Sequence, residues 1–564
     1  MIVAKLLAKE LADGGVRIVF GIPGKESLRF CAELSAVGIR FVGARHETQA
    51  VMMADGYWRT SGRVAVALVA QGAGLANAIG GMACAARARS GVIVVSGDLL
   101  KSTAGSDPSV KALQDLKGID TRVACEAVHV AYIRPASAET VHGDIRRAIE
   151  LAASGNAVAL AFPSDLFSAD ARVDPAATAG VTARSEPARA PGEPDIEAAA
   201  EVLTSGYTAR RPVIIAGRGA VRGGAVTELR RLAESCGALL ATSLLARSAF
   251  DGDPFNIGVC GTLATSLGSG LLSRADCVLA FGASLNPFTT YGKTIFPKQA
   301  HVIHVDSDEA ALGKYLTPDL AIHADAAATA RALTEALGRR GGPRPGYRSA
   351  ETAGQIAAFD PTAEFRDQST ADYIDPRTLM AGLNRLLPMP RVLVVDAGLH
   401  LHNACSFLQV ERPEDFVFPI DSLAIGLGMG AAIGAAFARP DDTTVLEAGD
   451  CGFMMSLGDL DTAIRYRLGL IVVVSNDQAW GAEAQHLHAL GIPDDIVRLP
   501  TPSLAELATA MGAEGYTITS PGDLEKVGDR LKRPLSGPVV LDCRVHPEIQ
   551  PASFEFDYAG VFAK

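Results

Sequence analysis

A chain of 564 residues is too long for one hydrophobic core and suits three domains of ordinary size. Its balance of 48% apolar and 20% charged residues is that of a core-forming globular protein and excludes a disordered one. The formal net charge is −11 and no Lys/Arg cluster interleaves with aromatics, which argues against a nucleic-acid partner.

The N-terminal segment 1–15 reads as an amphipathic helix ending in Gly-Gly rather than as a signal peptide. Short β-branched runs then alternate with helical segments almost to the end, the pattern of parallel sheets covered by helices. A first block holds strand-like runs at 17–20, 41–44, 64–69, 92–96 and 158–162. A Pro/Ala/Arg-rich stretch, 175–195, reads as a linker. The second block has runs at 212–216, 238–242, 277–281 and 301–305, and the breaker-rich segment 338–347 reads as a second linker. The third block has runs at 391–395, 443–446, 470–474 and 539–541. The expected architecture is α/β, three doubly wound parallel-sheet domains over 1–175, 195–340 and 370–564. Blocks one and three share size and rhythm, which permits an ancient duplication.

The longest weakly polar run, 423–438, is rich in Gly and Ala, falls short of a membrane span and reads as a buried helix. Nine cysteines stand singly, for example Cys31, Cys84, Cys125 and Cys451. With no CxxC pair, neither a disulfide framework nor a zinc site is expected. A cytoplasmic protein without a membrane segment follows as the expectation.

Two segments carry candidate chemistry. Gly449-Asp450-Cys451-Gly452 and Asn476-Asp477 each sit just past the carboxyl end of an expected parallel strand, where open α/β sheets bind ligands. Asp450 and Asp477 can converge there as hard oxygen ligands, which suits Mg²⁺ completed by phosphate and water. Gly449 and Gly452 permit close approach of a diphosphate, and a helix beginning near Gly458 would add a favourable dipole. Ordinary turns at strand ends have the same composition. In Arg45-His46-Glu47 a carboxylate opens an Ala/Met-rich helix; such a residue also occurs simply to compensate the helix dipole.

Taken together, the two segments resemble the thiamine diphosphate-dependent family that includes acetolactate synthase, benzoylformate decarboxylase, pyruvate oxidase and benzaldehyde lyase. The family's GDG…NN cofactor motif is matched by AGDCGFMMSLGDLDTAIRYRLGLIVVVSND at 448–477. Its N-terminal signature is matched by VFGIPG at 19–24, RHE ending at Glu47, and QGAGLANA at 71–78. Cys451 replaces the usual third Gly and Asp477 the usual Asn; the first is small, and the second keeps an oxygen ligand and adds negative charge.

The resemblance implies pyrimidine-binding, central and diphosphate-binding domains, with thiamine diphosphate and Mg²⁺ as cofactors. It implies that Glu47 hydrogen-bonds N1′ of the aminopyrimidine, where a carboxyl among apolar neighbours can share a proton with a weakly basic nitrogen. That favours the imino form, whose 4′-nitrogen deprotonates thiazolium C2 so that the ylide attacks a carbonyl. The Leu423 carbonyl would accept from the 4′-amino group and Ile425 would support the bent cofactor, although Ile425 also suits plain core packing. Asp450, Asp477 and the carbonyl of Ala479 are the implied Mg²⁺ ligands. Pro23, Gly24, Asn77, Gly449, Cys451, Gly452, Trp480 and Gly481 would line the cofactor. One of His400 and His402 would touch the diphosphate or act on protons, and a structural role suits at least one of them. Lys25, Glu26, Gln114 and Trp480 are the implied substrate contacts, with Gln114 facing the reaction centre; Lys25 equally suits a solvated loop. The cofactor would lie between two subunits, so a homodimer or homotetramer is implied.

The run FGASLNPFTTYG, 281–292, lacks the acid–base pair that flavin-binding relatives carry, so no FAD is expected. The leading reading is a carboligase or lyase acting on 2-oxo acids or 2-hydroxy ketones, acetolactate synthase-like or benzaldehyde lyase-like. The alternatives are a non-oxidative 2-oxo acid decarboxylase and a 2-hydroxyacyl-CoA lyase or oxalyl-CoA decarboxylase-like enzyme, although no basic nucleotide site stands out in the central block. A nucleotide-binding oxidoreductase would need a GxGxxG turn after the first strand; GRGAVRGG, 217–224, only approximates it. Retention of Glu47, Asp450 and Asp477 together argues against a non-catalytic scaffold.

Overall fold

The computed structural model describes residues 1–98, 118–163, 165–171, 189–205, 210–342, 344 and 346–551. Strand-forming runs such as Val472-Val473-Val474 are buried throughout, which is what a parallel sheet covered on both faces requires. Three six-stranded sheets result.

The first contains β1 (Ile18–Gly21), β2 (Arg40–Gly43), β3 (Ala65–Val69), β4 (Val92–Asp98), β5 (Ala131–Ile133) and β6 (Val158–Pro163), in the order β2-β1-β3-β4-β6-β5. The second contains β7 (Pro212–Ala216), β8 (Leu239–Thr242), β9 (Asn256–Val259), β10 (Cys277–Phe281), β11 (His301–Asp306) and β12 (Leu320–His323), in the order β12-β11-β10-β7-β8-β9. The third contains β13 (Arg391–Val395), β14 (Phe416–Val417), β15 (Thr443–Gly449), β16 (Leu470–Asn476), β17 (Glu514–Ile518) and β18 (Val539–Arg544), in the order β14-β13-β15-β16-β18-β17. Numbered from their own first strands, the first and third sheets have one and the same order, 2-1-3-4-6-5. The central sheet has the 3-2-1-4-5-6 order of a dinucleotide-binding fold.

The chain divides into two compact units. One comprises 1–185, 369–401 and 417–547 and so holds both outer blocks; the other comprises 186–368, 402–416 and 548–564. In the first unit a shared apolar cluster runs from Phe20, Val51 and Met53 to Met429, Ile433 and Val472. Its centre is the packing of the helix Glu47–Ser61 on the helix Gly428–Ala438. Backbone meets backbone there: a Cβ on Gly56 would lie 2.1 Å from the Ala431 carbonyl oxygen. Gly56→Ala is therefore expected to destabilise the unit by about 1–3 kcal/mol, the range for overpacking a tight core. A fall in the thermal midpoint checks it, and an unchanged midpoint would mean that the two helices separate freely.

Three local expectations change. The run 423–438 is not helical throughout: the helix begins at Gly428, and Leu423 is 69% exposed in the turn before it. A helix does begin near Gly458, at Leu460, but a separate and earlier one, Asp450–Ser456, starts directly after Gly449 and is the one whose N-terminus faces the glycine turn. Residues 346–347 of the expected second linker pack on the central unit, where the Tyr347 hydroxyl donates to Leu271 O at 3.0 Å, and the helix Ala350–Ala358 follows in the same unit. Among the described residues no helix is long and apolar enough to cross a membrane.

Candidate active site

In each outer sheet the chain turns back beside the first strand, so neighbouring strands diverge at their carboxyl ends and leave a crevice. In the third sheet this point lies between β13 and β15, where Asp396 and the Gly449–Asp450 turn emerge. In the first it lies between β1 and β3, where the Pro23–Gly24 turn and Gln71 emerge.

Asp450 is 1% exposed and its Oδ2 has no hydrogen-bond partner among the described residues. Burial, and then the neighbouring Asp477 carboxylate, push Asp450 up to about 7. Burial pushes Asp477 up to about 6. Two desolvated carboxylates facing one another with an orphan oxygen are the electrostatic signature of a place for a cation. The loop after β16 supplies a third oxygen. Asp477 Oδ1 accepts from Ala479 N at 3.2 Å, and Cys451 Sγ donates to Ala479 O at 3.3 Å. Burial raises the Cys451 thiol to about 12, so it stays protonated and bonds across the two strand ends. Gly481 is required beside them, since a Cβ there would come 2.1 Å from Asp477 Oδ2. Of the Asn476-Asp477 pair, Asn476 turns away, donating to Asp542 at 2.8 Å and Thr501 at 3.1 Å. Trp480, half-buried, caps the helix Gly481–Ala489 and donates its backbone N–H to Val497 O at 2.9 Å.

His400 packs against Gly449. Burial disfavours its charged form, but the Glu447 carboxylate, 2.5 Å from Nδ1, prevails and raises His400 to about 9. Nε2 stands 3.2 Å from Ala397 O, so both ring nitrogens face acceptors, as an imidazolium requires. Glu447, fully buried on β15, also accepts from Ser475 Oγ at 2.7 Å. The Glu447 carboxylate thus holds the His400 ring in place beside the glycine turn and favours its protonated form.

At the other end, Glu47 is 9% exposed in the first turn of its helix. Oε2 accepts from Asn77 Nδ2 at 3.0 Å, and the carboxylate lies against Gly74. Two residues on, Gln49 Nε2 donates to Gly426 O at 2.7 Å and its Oε1 accepts from Gly430 N at 2.8 Å. Gly426 N in turn donates to Asp396 Oδ2 at 2.9 Å. The front helix is therefore bonded, within one chain, to the segment holding Leu423 and Ile425 and through it to the β13–β15 crevice. Leu423 is exposed with φ +56°, and Ile425 is half-buried.

The remaining candidates scatter. Glu26 Oε1 accepts from Gln71 N at 3.1 Å beside Pro23–Gly24, whereas Lys25 faces solvent. His402 is buried and groups with the central unit. Gln114 lies outside the described residues. Sequence reasoning missed Gln49, Asp396 and Glu447. Asp396 and Glu447 did carry a signal, being charged residues at the end of β13 and inside the apolar run of β15.

Carboxylates and a carboxylate-paired histidine at the switch points of doubly wound sheets are the arrangement of an α/β protein with a ligand crevice at its strand ends. Comparison with known proteins specifies which. Residues 1–119 match the N-terminal TPP binding domain of thiamine pyrophosphate enzymes, 196–333 their central domain and 396–543 their C-terminal TPP binding domain. The chain belongs to the thiamine pyrophosphate-dependent, acetolactate synthase-like family, whose members form or cleave carbon–carbon bonds. It is 28% identical over 538 residues to the acetolactate synthase isozyme 3 large subunit of Escherichia coli K12, covering 94% of this chain and 92% of that one. It is also 28% identical over 551 residues to the sulfoacetaldehyde acetyltransferase of Alcaligenes xylosoxydans xylosoxydans, covering 92% and 88%.

Proposed function

We propose that this enzyme uses thiamine diphosphate and Mg²⁺ to join or cleave 2-oxo acids or 2-hydroxy ketones, with domains over 1–175, 195–340 and 370–564. The observation that carries the metal assignment is the buried Asp450 with its orphan oxygen beside the half-buried Asp477, since one or two carboxylates, a carbonyl and phosphate oxygens are a normal Mg²⁺ shell. Asp450, Asp477 and Ala479 O would hold the metal, and His400 would face the diphosphate.

When bound, the cofactor supplies a thiazolium carbon that adds to a carbonyl and then accepts the electron pair released from the broken bond. Glu47 would hold and pass a proton at the pyrimidine nitrogen, its other contacts being a neutral amide and a glycine. Leu423 O and Ile425 would orient the ring, and Trp480 would wall the substrate side. Glu26, fixed by Gln71 N, would meet the substrate with Lys25, and Gln114 is retained as a candidate on the resemblance alone. A second copy of the chain would cover the exposed apolar rim of Leu423, Met454 and Met455, which supports a homodimer or homotetramer. Cysteines that are mostly buried, with no disulfide among the described residues, support a reducing, cytoplasmic setting.

The reading is tested with thiamine diphosphate, Mg²⁺ and a panel of 2-oxo acids, each with and without aldehyde acceptors, sulfoacetaldehyde included. Carbon dioxide and acyloin are followed separately. Acyloin formed with an acceptor supports the carboligase, carbon dioxide with free aldehyde alone selects the decarboxylase alternative, and no turnover of any oxo acid or acyloin refutes the substrate class.

A further inference from the structure

Residues 418–426, which lead into the helix Gly428–Ala438, hold Leu423 in a left-handed conformation that a Cβ disfavours, and hold it exposed. A strained residue with so little packing of its own persists only where its flanks are over-determined. Both flanks are held from the first block. Arg59, near the end of the Glu47–Ser61 helix, is buried and spreads its guanidinium over three close partners. Nη1 donates to Phe418 O at 3.1 Å, Nη2 to Asp421 at 2.7 Å, and Nε to the fully buried Asp55 at 2.6 Å; Nη2 also reaches Cys84 Sγ at 3.8 Å as a fourth, weaker partner. Cys84 Sγ donates to Pro419 O at 3.4 Å. At the far flank Gln49 and Asp396 hold the carbonyl and N–H of Gly426. The planar fork of arginine is what lets one side chain meet a carbonyl and two carboxylates in different directions; a lysine ammonium lacks that geometry.

We infer that Arg59 is a positioning residue for the active site, acting through Asp421 and the Phe418 carbonyl to set the backbone of Leu423 and the side chain of Ile425. One helix then carries Glu47 at its start, Gln49 two residues on, and Arg59 three turns later. The carboxyl proposed to meet the pyrimidine and the clamps of the segment proposed to bend the cofactor are parts of one rigid element. The role assigned to Leu423 and Ile425 rests on the proposed function, whereas the clamp itself does not.

The test uses the full-length protein with Asp421→Asn, which keeps shape and hydrogen bonding while removing the charge, and with Arg59→Lys. In the cofactor-free protein both variants are expected to raise amide hydrogen exchange across 418–427 by about tenfold or more, with protection of the Gly428–Ala438 helix retained. With cofactor, proton exchange at thiazolium C2 is expected to slow by about 10–100-fold while thiamine diphosphate affinity moves by less than about threefold. Unchanged amide exchange across 418–427 would overturn the clamp. Loss of affinity in step with the C2 rate would reduce Arg59 to a stabilising ion pair and overturn the positioning role. Failure of the wild-type protein to bind thiamine diphosphate would refute the proposed function, and with it the active-site role of the segment; the cofactor-free exchange would still decide the clamp.

Discussion

Replacing Glu47 by glutamine is expected to slow proton exchange at C2 of bound thiamine diphosphate by about two to four orders of magnitude, the usual contribution of a positioned acid–base group. Glutamine has the same shape, and its carbonyl can accept from Asn77 Nδ2 as Glu47 Oε2 does at 3.0 Å. The packing against Gly74 is preserved too, so the helix start and the Gln49–Gly426 bond two residues on should stand. What disappears is the capacity to hold a proton at the pyrimidine nitrogen. Cofactor affinity should therefore change only a few-fold, and quenched-flow exchange followed by proton NMR separates the two quantities. Exchange at the wild-type rate would remove Glu47 from the chemistry; a matching loss of affinity would make it a binding residue only.

The second large effect concerns the metal. Asp450→Ala should abolish Mg²⁺-dependent binding of thiamine diphosphate, because the buried carboxylate of the Asp450–Asp477 pair and the orphan oxygen go together. Retention of ordinary affinity would break the assignment. The wild-type site should also be pH-sensitive in a definite direction. Burial, and for Asp450 also the neighbouring Asp477, raise the folded-state values of Asp450 and Asp477 to about 7 and about 6. Between pH 4 and pH 7 the folded, metal-free protein binds more protons than the unfolded chain. Its stability from these groups is present below about pH 4 and is lost as pH rises through 6 and 7. Mg²⁺ bound there would take the deprotonated pair, so its affinity should rise over the same window, by roughly tenfold or more from pH 5.5 to pH 8. The thermal upshift caused by Mg²⁺ should accordingly be small at pH 5.5 and large at pH 8. An upshift independent of pH would mean that the two aspartates do not bind the ion.

Much of this protein is written in local pattern. Thirteen of the eighteen strands among the described residues coincide with the short apolar runs, and all of these but the edge strand β2 lie inside their sheets, where a strand buried on both faces must be apolar along its whole length. The strands without such a run, β5, β9, β12, β14 and β17, all lie at sheet edges. There one side meets solvent or a loop, burial is mixed or the strand is only two residues long, and pairing to a neighbour makes the strand. That Asp450 and Asp477 lie just past the carboxyl ends of two neighbouring strands was legible, because the end of an apolar run marks the end of a buried strand.

Partnership across the chain was not legible. Gln49 reaches Gly426 across 377 positions, and Arg59 reaches Asp421 across 362. No periodicity records a bond between residues so far apart, and a polar residue in a helix looks alike whether it meets water or a distant carbonyl. The sequence alone determined the three α/β blocks, the glycine turns at the strand ends and the family, because strand burial and turn chemistry are local. Only the tertiary structure decided that one front helix holds both Glu47 and the segment before Gly428–Ala438, because two glycine-lined backbones must first meet before Gln49 and Arg59 have anything to bond.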